Sequence, residues 1–140
     1  MLNMSQAKKY LQRGGFILVA AGFMYTSNLG LLSYVAHWNS PKLYWKGKLE
    51  DTVRAEAELL GFHEEITIKI EDNGKTPGLS YKQGGKYFVQ LSPDRADLAE
   101  LRHELYHIAN GHLDSNSINS FWQEPKATFY AFIMSFKDRE

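Results

Sequence analysis

The chain has 140 residues, with 16 basic and 16 acidic side chains and no cysteine. The length suits one domain, and the neutral balance offers no basic surface for sequence-blind binding of nucleic acid. Without cysteine there is neither a disulfide framework nor a thiolate metal site, so any metal must be held by His, Asp or Glu.

Lys8, Lys9 and Arg13 precede residues 15–36, "GFILVAAGFMYTSNLGLLSYVA", which carry no charge. A helix crossing a bilayer needs roughly 20 mainly apolar residues. Residues 1–36 therefore read as an N-terminal membrane anchor or a signal segment, with a buried apolar helix as the remaining option. The small pair Val19 and Ala21 comes too early in the apolar run to make a good cleavage site. Lys42, Lys46 and Lys48 balance the basic residues before the run, which leaves its orientation open. Residues 37–47 read as a linker around the turn cluster Asn39, Ser40 and Pro41.

Residues 48–60 repeat Leu49, Val53, Ala57 and Leu60 at helical spacing, with Gly61 as a stop. "ITIKI", 66–70, alternates and is β-branched, so it predicts a strand. "LSYKQGGKYFVQLS" predicts a hairpin turning at Gly84 and Gly85. In its second strand Tyr87, Val89 and Leu91 share one face. Ser92 as N-cap, Pro93 at the first position and Gly111 as a stop predict a helix over 93–110. After a polar loop, 111–119, an apolar helix covers 124–137, with Pro125 in its first turn. This order predicts an α+β domain over 48–140, a small and largely antiparallel sheet packed by helices.

The chemistry lies in "LRHELYHIANGHLD", residues 101–114, which holds three of the five histidines. His103, Glu104 and His107 form H-E-x-x-H. Chance alone gives this pattern about once in eighty chains of this composition, so it stands above noise and still needs structural context. Four residues apart on a helix, the two imidazoles stack on one face and can grip one zinc ion. Glu104, turned by about 100°, is placed to act as base on a water at the metal. Leu98, Leu101, Leu105, Ile108 and Ala109 make the opposite stripe, which should pack on the sheet.

A catalytic zinc takes a third protein ligand. His112 lies out of phase and just beyond Gly111, and Asp114 sits in a loop. Glu124, at the start of a helix returning beside the first, would be level with His107 and fits best; His112 and Asp114 remain alternatives. Glu100 shares the histidine face, as a solvated charge or as a group orienting an imidazole. Tyr106, Tyr130 and His112 are candidate donors to a developing oxyanion, and strand "KYFVQLS" is a candidate edge for an extended peptide.

"HELYHIANGH" followed by "EPKATFYA" resembles the zinc metallopeptidases whose third ligand is a glutamate on the next helix, of the ImmA/IrrE type and the HtpX/CAAX-protease type. The resemblance implies Zn2+ held by His103, His107 and Glu124, with Glu104 as catalytic base and a protein or peptide substrate. Ala127 takes the alanine place of the second motif, and Thr128 stands where these families carry Asp or Asn. The chain is too short for a multi-span membrane enzyme of this type and resembles a minimal domain carrying its own anchor. The competing reading is a zinc-binding, catalytically inactive, membrane-associated module.

Overall fold

A computed structural model describes residues 28–43, 49–72, 74, 76–114 and 120–137, with backbone alone at 114 and 120–122. Packing divides the chain after Leu31. Of Met1–Leu31 only residues 28–31 are described, and they are helical. Residues 15–27 of the uncharged run lie outside the described residues. Among those described, no helix is long and apolar enough to cross a membrane.

The elements in chain order are α1 (residues 28–39), α2 (Leu49–Leu59), β1 (Ile66–Ile70), β2 (Gly78–Gln83), β3 (Lys86–Leu91), α3 (Leu98–Ala109) and α4 (Ser120–Lys137). Short 3-10 turns cover Pro93–Arg95 and His112–Asp114. The architecture is α+β, with four helices about a three-stranded sheet.

The sheet is mixed, with order β1-β3-β2, where the sequence predicts a largely antiparallel one. β2 and β3 form the expected hairpin: Gly84 and Gly85 have φ of 58° and 79°, and Gln83 pairs with Lys86. Two successive positive φ values suit the twist of a two-residue turn and favour glycine. β1, however, runs parallel to β3. At the end of β3, Glu71 N–H donates to Leu91 O at 3.0 Å and Ser92 N–H to Pro77 O at 2.8 Å. β3 is therefore the middle strand, paired on both sides. It cannot be the edge that the sequence suggests for peptide binding; β2 is an outer strand.

The core follows the predicted periodicities. Val89 and Leu91 of β3 are fully buried with Leu98, Leu101, Leu105 and Ile108 of α3 and Val53 and Ala57 of α2. Each large apolar side chain so buried contributes about 1.5–3 kcal/mol. Ala109, the last member of the predicted stripe, is only half-buried. On the other sheet face Phe88 stacks on Tyr81 at 5.0 Å. One ion pair is buried beside this core: Arg102 Nε donates to Glu56 Oε2 at 2.7 Å and its second nitrogen to Oε1 at 3.0 Å, clamping α3 to α2.

Three boundaries differ from the sequence reading. The described part of the expected linker, 37–43, is packed: α1 runs through Asn39, and Leu43 is a core side chain with 1% exposure. Its backbone also takes the hydrogen bonds that would have continued one helix over 93–110. Leu43 N–H donates to Ala96 O at 3.0 Å, and Leu98 N–H to Pro41 O at 3.1 Å. The helix breaks there and α3 starts afresh, capped by Asp97, whose carboxylate accepts Glu100 N–H at 3.0 Å. Ser92 instead gives its hydroxyl to Thr76 O. α4 begins four residues before its expected start, which puts Pro125 inside the helix; so near the N-terminus the missing N–H costs one bond.

Candidate metal centre

Every part of the site hangs on α3 or faces it. Because its leucine stripe packs on the sheet, the next faces of the helix are turned to α4 and to β2. His103 and His107, one turn apart, point at α4, and Glu124 meets them from there. His103 Nε2 lies 3.2 Å from His107 Nε2 and 3.2 Å from Glu124 Oε2, and His107 Nε2 lies 3.3 Å from Glu124 Oε1. Zinc bonds of about 2.0–2.1 Å at tetrahedral angles put ligand atoms about 3.3–3.4 Å apart. The triangle thus already has the edge lengths of a three-ligand site. Among the described residues these three offer the one group of His and carboxylate atoms able to hold a metal ion.

The electrostatics agree. Hydrogen bonds to His103 and His107 hold the Glu124 carboxyl well below its usual range. Burial disfavours a charged His103, but Glu124 and the nearby Glu104 and Glu100 outweigh it and raise its pKa. A divalent cation held there could bond all three groups together.

Glu104 is buried, with 6% exposure, and lies against β2. Burial raises its pKa, against the lowering effect of His103 and of a hydrogen bond from Ser80. A Cβ on Gly78 would fall 2.5 Å from Glu100 Oε1 and 2.7 Å from Glu104 Oε1, so a side chain there would have to push the two carboxylates aside. A cleft of about 600 Å³ joins Glu104, both histidines and Glu124 to the Thr76–Ser80 segment.

The other sequence candidates fall outside the ligand triangle. His112 reaches the far side of His107, ring to ring, with Nδ1 3.0 Å from His107 Nδ1. Burial and the charges of His107 and Lys126 lower its pKa. The side chain of Asp114 is outside the described atoms. Tyr106 and Tyr130 pack on each other at 5.3 Å and do not line the cleft. Thr128 Oγ1 lies 3.5 Å from His103 Nδ1.

Sequence reading missed His37. Its Nδ1 is 2.9 Å from both oxygens of Asp97, and its Nε2 is 3.2 Å from Glu100 Oε2. Burial lowers its pKa, but the bonds to Asp97 and Glu100 prevail and raise it to about 9. Glu100, read as a solvated charge or an imidazole-orienting group, is instead buried in this pair beside the site. No family model, curated protein or solved structure matches the chain, so the likeness to glutamate-ligand zinc peptidases rests on the H-E-x-x-H spacing, on Glu124 and on the triangle they form.

Proposed function

We propose that the chain is a zinc-dependent metallopeptidase that hydrolyses peptide bonds, with His103, His107 and Glu124 as metal ligands and Glu104 as general base. The observation that carries this reading is the 3.2–3.3 Å triangle of ligand atoms with a buried glutamate in the same cleft. Two imidazoles, one carboxylate and room for a further ligand suit a catalytic zinc. When bound, the ion polarises a carbonyl and lowers the pKa of water.

The chain's own residues do the rest. Glu104 takes the proton from the attacking water and returns it to the leaving amine. Its raised pKa makes it a better proton acceptor than an exposed carboxylate, and the Ser80 hydroxyl fixes its direction. β2 is an outer strand bordering the cleft, so an extended peptide can join the sheet there by main-chain bonds. The uncharged stretch 15–36 supports a place at a membrane, as a single N-terminal span, or export.

The test is cleavage of casein or a quenched peptide by the zinc-loaded full chain and by Glu104→Gln. Zinc content should be equal in both, and cleavage should fall by about 10²–10⁴ in the variant. Equal cleavage in both removes Glu104 as the base. Zinc without cleavage in either makes the chain a metal-binding module.

A further inference from the structure

We propose that His112 is a positioning residue for the metal centre, accepting the Nδ1–H of His107 and so fixing which nitrogen of His107 faces the other ligands. This rests on the metal reading above and goes beyond it. A neutral imidazole has one N–H and one lone pair. His107 Nε2 looks into the triangle, 3.2 Å from His103 Nε2 and 3.3 Å from Glu124 Oε1, and with an ion held there its lone pair would go to the ion. Its hydrogen is then on Nδ1, and the atom that Nδ1 meets, at 3.0 Å, is His112 Nδ1. His112 must offer its own lone pair and carry its hydrogen on Nε2. Each ring sets the tautomer of the other.

The backbone is built for this contact. On a continued helix His112 would point to the leucine side. Gly111, at φ 66°, ends α3, and the 3-10 turn His112–Asp114 brings the ring back beside His107. Tyr106 closes the other side of His112, with ring centroids 5.8 Å apart. His103 is held more loosely, since its outer nitrogen has Thr128 Oγ1 at 3.5 Å. A metal-bound histidine normally gives its second N–H to a carboxylate, a carbonyl or water, and loss of that acceptor costs 10–100-fold in affinity. In this chain the acceptor is an imidazole.

The experiment measures zinc affinity of the full chain by competition with a chromophoric chelator, with the melting of the metal-free chain followed in parallel. His112→Ala should bind zinc about 10–100-fold more weakly, with the metal-free melting unchanged. His112→Asn should recover most of the loss, because its Oδ1 acceptor stands the same two bonds from Cβ as the imidazole Nδ1. Unchanged affinity in His112→Ala overturns the proposal and leaves the metal site standing. Complete loss of zinc in both variants also overturns it, since His112 would then be a ligand. A parent chain that binds no zinc overturns the metal reading and this proposal together.

Discussion

At the N-terminal end of α3 one imidazole, His37, stands between two carboxylates, Asp97 and Glu100. Further along the same helix two imidazoles, His103 and His107, stand against one carboxylate, Glu124. The first group is complete once His37 is protonated: each ring N–H meets an acid, and the pKa rises to about 9. The second is not. Two Nε2 atoms stand 3.2 Å apart with a single carboxylate, Glu124, to bond both rings. A cation that accepts one lone pair from each of the three would complete it. The ratio of imidazole to carboxylate separates a group that closes on itself from one that could hold a metal ion.

The comparison can be sharpened from its structural side. The largest expected effect is at Glu56→Ala, which removes the carboxylate that the charged Arg102, 3% exposed, bonds through two nitrogens. It should cost about 3–5 kcal/mol of folding stability in denaturant unfolding, while zinc affinity below the transition stays that of the parent. A large loss of zinc affinity with small loss of stability would mean that the α2–α3 clamp serves the site and not the fold. Gly78→Ala should cost about 1–3 kcal/mol, the range for overpacking. Because the new Cβ presses on Glu104, it should also reduce cleavage while zinc stays bound. Cleavage at the parent rate would show that the carboxylates can give way.

The smallest effect is a pH dependence. His37 has its folded pKa raised above the ordinary 6.5, to about 9. Its contribution to stability is therefore full below pH 6.5 and lost as pH rises through about 9. Melting temperatures taken across that window should fall in the parent and fall less in His37→Gln. Parallel curves would remove His37 as the source.

Much of the site was legible because it is local. H-E-x-x-H needs only helical spacing, and Glu124 needs only a helix that returns. What the sequence hides is set by partners far along the chain. Alternation in "ITIKI" shows a strand and a buried face but carries no direction, so the parallel pairing with β3 could not be read. Ser92 and Asp97 are both good N-caps; the choice is made by residues 41–43, whose backbone bonds interrupt the helix at Ala96. His37 meets Asp97 across sixty residues, and no period or motif marks it. The turn cluster at 39–41 ends α1, and Leu43 just beyond it is core.

The central claim is tested most directly by metal analysis of the purified full chain beside His107→Ala and Glu124→Ala, after incubation with zinc and gel filtration. One zinc per parent chain, none on His107→Ala and a weaker complex on Glu124→Ala is the predicted result. No stoichiometric metal on the parent, or the same zinc content and affinity in all three, would contradict it.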